Sequence, residues 1–285
     1  MDRWKGRVEG MTTGACARSL VVIVAMLMPL TFVGLRAEGA SLATLHAAQM
    51  MFYNGRYAEA ATAAAELCKA AVEALPACEL KSAAIHFQIR RAIGDVPDKG
   101  KAFTQCGGCS AWFTTFVAEI RQAQGVARAQ LKTNPGDDEA LFFLGKMDLN
   151  YVWLQLGTLG RKTGLEEYRE ARRSLDAVLK RNPRHVRAKV ARAWIDYIVD
   201  TKMPFGTKWV LGGGNKKRGL QAAREAAGAE ADLFIRAEAV FALWELQVRE
   251  KDITGAVATA RRLAIDFPDN PEVRKFLETH GGSGT

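Results

Sequence analysis

Between Gly164 and Pro183 the apolar and small positions fall at Tyr168, Ala171, Leu175 and Val178, three, four and three residues apart. That spacing keeps them on one face of an α-helix, while Glu166, Glu167, Arg169, Glu170, Arg172 and Arg173 occupy the other faces. Pro183 ends the run, because a proline inside a helix removes a hydrogen bond and clashes with the preceding turn. The template recurs as Tyr57, Ala60, Ala64 and Leu67 after Asn54-Gly55-Arg56, and as Ile120, Ala123 and Ala127 before Pro135. It recurs again as Ile253, Ala256, Ala260 and Leu263 before Pro268, and more weakly as Gly219, Ala223 and Ala226 after Gly214. Each block is preceded by another helical stretch, roughly 43–53, 77–93, 138–157, 184–201 and 231–250. A short closing helix is expected over 271–279, after Pro268-Asp269-Asn270-Pro271. The pattern predicts an all-α chain built from helix pairs. Alanine-, leucine-, arginine-, lysine- and glutamate-rich stretches support it, since these residues lose little side-chain entropy in a helix.

The 164–183 block resembles the second helix of the tetratricopeptide repeat, whose pattern is Gly-x-Tyr-x-x-Ala-x-x-x-Phe-x-x-Ala-x-x-x-x-Pro. Leu175 stands at the Phe position, Val178 at the second Ala position, and Glu166 replaces the glycine. The resemblance covers roughly 43–280. It departs from the family in spacing, because the second helices begin near 57, 120, 168, 216 and 253 rather than at an even step of about 34 residues, and Gln130 sits where alanine is expected. The resemblance implies a right-handed superhelix of about five stacked antiparallel helix pairs, an α-solenoid in which neighbouring pairs share one continuous core. In that family the first helices line the concave side. Carried over, this puts Asn150, Tyr151, Gln155, Arg192, Asp196, Arg236 and Glu245 on a partner-binding face. Trp153, Trp194 and Trp244 lie on the same helices and are expected to fill the core, with Phe142, Leu149 and Leu156 packing inside.

Charge changes the picture little. The net charge is +9, but basic and acidic residues are interspersed, so the stripe that nucleic acid requires is missing. The N-terminus carries more information. Arg3, Lys5, Arg7 and Arg18 precede an uncharged run from Leu20 to Leu35, followed by Arg36-Ala37-Glu38-Gly39-Ala40. This is the layout of a signal peptide over 1–39, cleaved after Gly39 or Ala37, with Met1 or Met11 as the start. The competing reading is an inner-membrane anchor through residues 20–35, although sixteen residues with Pro29 are short for about 30 Å of hydrocarbon. The expected organisation is therefore 1–39 signal or anchor, 40–280 repeat domain and 281–285 disordered tail, in a periplasmic or secreted protein.

Cys68, Cys78, Cys106 and Cys109 would remain after cleavage, and an even number in an exported chain suggests disulfides. In the hairpin arrangement Cys68 ends one helix and Cys78 opens the next, while a helix over 77–93 is about 25 Å long and separates Cys78 from the other two. The favoured pairing is Cys68–Cys78 and Cys106–Cys109. Two other readings of these cysteines are a thiol–disulfide centre at Cys106-Gly107-Gly108-Cys109 and a four-cysteine zinc site. The redox reading lacks a βαβ context, and the zinc reading conflicts with that separation. His46, His86, His185 and His280 show no ligand spacing and are expected at the surface or at caps.

The loop Trp209-Val210-Leu211-Gly212-Gly213-Gly214-Asn215-Lys216-Lys217-Arg218 is neither a Walker loop nor a dinucleotide fingerprint. It reads as a glycine turn with Asn215 as an N-cap. Lys216 and Lys217 then fall in a first helical turn, where cations oppose the helix dipole. An anion bound at Gly213, Gly214, Asn215, Lys216 and Lys217 would relieve that; a plain turn is the other reading. The same loop resembles the Gly-Gly segment of helical accessory proteins of TRAP-type solute transporters. The expected function is an exported scaffold for a protein or peptide partner, without catalytic residues, metal, cofactor or nucleic acid. The alternatives are a solute-binding transporter subunit and a redox protein using Cys106 and Cys109.

Overall fold

The computed structural model describes residues 34–69 and 74–282, with side chains from residue 44 onward except that of Phe205. The described residues form helices joined by turns and loops, with no strand. In chain order the helices are α1 (Gly34–Tyr53), α2 (Tyr57–Lys69), α3 (Ala74–Ile93), α4 (Lys99–Gln105), α5 (Cys109–Thr133), α6 (Asp138–Val152), α7 (Leu165–Arg181), α8 (Val186–Lys202), α9 (Phe205–Val210), α10 (Lys216–Ala227), α11 (Leu233–Arg249), α12 (Ile253–Asp266) and α13 (Pro271–His280). A π-helical turn, Trp153–Thr158, prolongs α6. The predicted signal core and Cys16 fall mainly outside the described residues, as do residues 283–285 of the tail. The backbone is already helical at Gly34. No helix among the described residues is long and apolar enough to cross a membrane.

The five sequence blocks become α2, α5, α7, α10 and α12. Their equivalent small residues, Ala60, Ala123, Ala171, Gly219 and Ala256, are all buried. A methyl group, or none at Gly219, lets backbones approach closely, and a larger side chain would force the helices apart. The turns that end three blocks are also equivalent. At Asn134, Asn182 and Phe267 the N–H donates back to Gln130, Val178 and Leu263, a proline follows, and the chain re-enters a helix at Asp137, His185 and Asn270. Those three residues cap α6, α8 and α13 by accepting from Ala140, Ala188 and Val273 N–H. Each satisfies a donor that the first helical turn leaves unpaired.

Consecutive helices pack on one another along the chain, with the short α4 and α9 as insertions. The leading helices of the pairs also touch: α1 on α3, α3 on α6, α6 on α8 and α8 on α11. The first and last described helices then meet. The Tyr53 ring lies 5.9, 5.5 and 5.1 Å from those of Phe234, Phe241 and Phe267. Its hydroxyl donates to Phe234 O, and Asn270 Nδ2 donates to Tyr53 O. Arg91 donates to the carboxylate of Glu272 at 2.6 Å.

Candidate functional site

The leading helices bring four charged side chains together. Glu79 comes from α3, Lys146 from α6, Arg187 from α8 and Glu238 from α11; each keeps only 10–20% of its side-chain surface exposed. Arg187 bridges the two acids, with Nε donating to Glu238 at 2.6 Å and a terminal nitrogen donating to Glu79 at 2.9 Å. Lys146 Nζ lies 2.5 Å from Glu238 and 3.9 Å from Glu79. The guanidinium also sits over the rings of Phe142 and Phe143, 4.8 and 5.5 Å from their centroids. Burial alone would push Glu238 up. The charge of Arg187, then Lys146 and the hydrogen bonds from both, outweigh it and lower the carboxyl to about 2. Burial likewise opposes the charge on Arg187, and Glu238 and Glu79 reverse that and raise its pKa. The Tyr53 phenol is held well above its usual range, first by burial and then by Glu238. The cluster is self-neutralising and its donors are spent on its own acceptors.

Of the residues projected onto a partner face, Asn150 joins this cluster. Its Nδ2 donates to Ser82 Oγ at 3.0 Å and reaches Glu79 at 3.4 Å. Arg192 and Asp196 form a separate group: Arg192 pairs with Asp176 and Asp196, and Arg218 grips Asp196 through two nitrogens at 2.8 and 2.7 Å. Glu245 pairs with Arg249 and approaches Arg90, while Arg236 approaches Asp266. Tyr151 borders a small hollow of 70 Å³ with Val117, Ile120, Gln124 and Glu167. Gln155 is buried in the π-helical turn. The seven therefore lie in several places rather than in one groove. Sequence reasoning passed over Glu79, Lys146, Arg187 and Glu238. The available signal was a single acid inside an apolar run, as in Ala237-Glu238-Ala239.

At the glycine loop, Asn215 caps α10 by accepting from Arg218 N–H. The cations of the first turn meet carboxylates of the chain itself. Asp200 accepts from Lys216 N–H and from Lys208 Nζ, both at 2.9 Å, and Lys216 Nζ donates to Glu250 at 2.8 Å. The bond from Lys208, then that from the Lys216 amide, lowers the Asp200 pKa. The helix start thus already has an anion beside it. Gly213 takes a left-handed φ of 74°, and Gly214 lies so close to α8 that a Cβ would come within 2.6 Å of Asp200 N. Lys217 is exposed.

Both expected disulfides are formed, Cys68–Cys78 with Cα atoms 4.8 Å apart and Cys106–Cys109 at 5.4 Å. The first ties α2 to α3 and the second ties α4 to α5. His185 is a cap, as anticipated. His86 corrects the surface expectation: it is buried, with Nε2 2.8 Å from Thr158 Oγ1, and burial followed by the nearby Arg90 charge lowers its pKa to about 3. A surface cleft of about 360 Å³ is lined by Gly55–Glu59, Gln88, Arg91, Ala92 and Trp112. There the Arg91 guanidinium stands 4.3 Å above the Tyr57 ring, and Arg56 pairs with Glu59. No family model, curated protein or solved structure matches this chain.

Proposed function

We propose that the chain is an exported helical-repeat scaffold of the tetratricopeptide type that binds a protein or peptide partner. In this reading α1/α2, α3/α5, α6/α7, α8/α10 and α11/α12 are five stacked pairs of a right-handed superhelix, and α13 covers the last one. The equivalent burial of Ala60, Ala123, Ala171, Gly219 and Ala256, and the three matching turns, support it. The partner docks in the cleft between Tyr57 and Trp112 rather than on the leading helices. The observation that carries this choice is the filled inner cluster, where Arg187 and Lys146 are already paired with Glu79 and Glu238. The cleft instead offers aromatic walls with polar groups at the rim, the composition that anchors a peptide through a few side chains.

The solute-binding alternative would have to use that inner cluster and separate its ion pairs. The redox alternative would use Cys106–Cys109, where Cys109 is fully buried. A photo-crosslinking residue at exposed Ala92, in intact cell envelopes, tests the docking site. A discrete adduct that is lost on Trp112→Ala is expected; no adduct from Ala92, with the chain present and folded, rejects the cleft. N-terminal sequencing of the same protein tests export.

A further inference from the structure

The helix α9 presents Trp209 and Val210 to solvent. Trp209 is 85% exposed and Val210 48%, whereas the other described Phe, Tyr and Trp side chains are buried or half-buried. Exposing a tryptophan this fully wastes its burial energy unless something covers it. The segment is nevertheless firmly held. Arg172 donates to the carbonyls of Leu211, Gly212 and Gly213 at 2.6, 2.6 and 3.0 Å, and Tyr168 OH donates to Leu211 O at 2.9 Å. Behind it, Gly214 rests on the α8 backbone. A Cβ at Gly206 or at Gly213 would meet nothing within 4 Å, so the tip stands clear of the body. The structure thus fixes a tryptophan outward on a rigid mount.

The surroundings of the tip are cationic. Residues 200–218 contain Lys202, Lys208, Lys216, Lys217 and Arg218 against a single acid, Asp200. The neighbouring acids are engaged: Asp200 by Lys208 and Lys216, Glu250 by Lys216, and Asp196 by Arg192 and Arg218. Lys202 and Lys217 are exposed and unpaired. The end of α11 lies against the same part of the molecule, since Glu250 pairs with Lys216, and it adds exposed Lys251. Asp252 caps α12 nearby by accepting from Gly255 N–H.

We propose that α9 and its lysines form a docking surface for an anionic lipid bilayer. Trp209 and Val210 enter the headgroup region while Lys202 and Lys217, with Lys251 at the periphery, face lipid phosphates. An indole prefers the interface, where its ring is apolar and its N–H remains wetted, and lysines beside an anionic surface add attraction. A protein partner would demand acidic groups opposite these lysines and a matching pocket for the indole; a charged, fluid interface requires neither shape nor register. The positive rim therefore favours the bilayer.

The test uses the full chain with vesicles of phosphatidylglycerol and phosphatidylcholine in a 3:7 ratio, carrying brominated acyl chains. Trp209 emission is obtained as the difference between the native chain and Trp209→Phe, which removes the other five tryptophans and any tethering by the N-terminal segment from the readout. Quenching of this difference signal on anionic vesicles is expected, with little on pure phosphatidylcholine. Each lysine replaced should weaken the vesicle affinity read by this signal by about five-fold, so Lys202→Glu with Lys217→Glu should lower it by well over twenty-fold. Trp209 emission unchanged by anionic vesicles overturns the proposal, even if the chain sediments with them. Equal quenching on neutral vesicles, or quenching indifferent to the lysine replacements, overturns it as well. All these residues are exposed, so the variants keep the fold.

Discussion

Replacing Arg187 by methionine should show how much the inner cluster holds the molecule together. Methionine keeps most of the stem against Phe142 and Phe143 but removes the bonds of 2.6 Å to Glu238 and 2.9 Å to Glu79. Two acids that keep 10% and 14% of their side-chain surface are then left to a single cation, Lys146, which is 3.9 Å from one of them. Removing one partner of a buried pair costs about 3–5 kcal/mol, because the remaining charge stays desolvated. Partial exposure favours the lower end, about 3 kcal/mol, which is roughly 6–12 °C in Tm for a domain of this size. The double variant Arg187→Met with Glu238→Met removes the stranded acid too and should be less destabilised than the sum of the two single changes. The cluster should also govern stability at low pH. Glu238 is an acid whose folded value, about 2, lies below its ordinary 4.5. Its contribution is full above about pH 4.5 and is lost as pH falls toward 2, amounting to roughly 3 kcal/mol over that window. Urea unfolding followed by circular dichroism, from pH 2 to 7, measures both effects. An Arg187→Met variant that unfolds within about 1 kcal/mol of the native chain would refute the reasoning.

Three further outcomes follow from the same structure. His86 titrates at about 3 when folded and ordinarily at 6.5, so stability should fall as pH drops through this window, by up to about 1.4 kcal/mol per unit; His86→Gln should flatten that part of the profile. Opening Cys68–Cys78 by Cys68→Ser with Cys78→Ser should cost about 2.8 kcal/mol, against about 1.9 for the shorter Cys106–Cys109 loop, both read from denaturant melts. Gly214→Ala should cost about 1–3 kcal/mol in the same assay, because its methyl would strike the α8 backbone at Asp200 N and Asp196 O, whereas Gly206→Ala at the open tip should change little.

The elements that could be read from the sequence are those whose causes are local. Alanines three or four residues after an aromatic or aliphatic residue mark the buried stripe of α2, α5, α7, α10 and α12, and Pro135, Pro183 and Pro268 mark where three of them end. The cysteine pairing followed from helix direction alone. What escaped was non-local. Nothing near Tyr53 announces that its ring will rest on Phe234 and Phe241, because the contact spans most of the chain. Lys216 at a helix start invited an external anion, but the loop folds back so that Asp200, sixteen residues earlier, supplies the carboxylate. The seven residues projected from helix phase alone separated, since phase does not say which neighbour a charged side chain will find. The short helices α4 and α9 and the π-helical turn interrupt the repeat rhythm and have no counterpart in the other blocks.

Together these features argue about where recognition can occur. The aromatic face of α11 is already covered from within the chain, because α1 lays His46 and Tyr53 against Phe234, and Tyr53 also against Phe241 and Phe267. An apolar helix edge resting among aromatic side chains is the geometry by which a groove takes a partner helix, supplied here from within the chain. Any external ligand for that face must first displace α1, giving up its aromatic contacts and leaving the Glu79–Lys146–Arg187–Glu238 cluster to be resolvated. A ligand in the Tyr57–Trp112 cleft, or a lipid surface over Trp209, faces no such competition. Under the proposed scaffold function, binding would therefore fall outside the contacts between α1 and α11. A variant such as Tyr53→Ala, which weakens the internal occupant without touching the cleft, should leave Ala92 crosslinking in place; loss of that adduct in a folded Tyr53→Ala chain would place recognition back on the inner face.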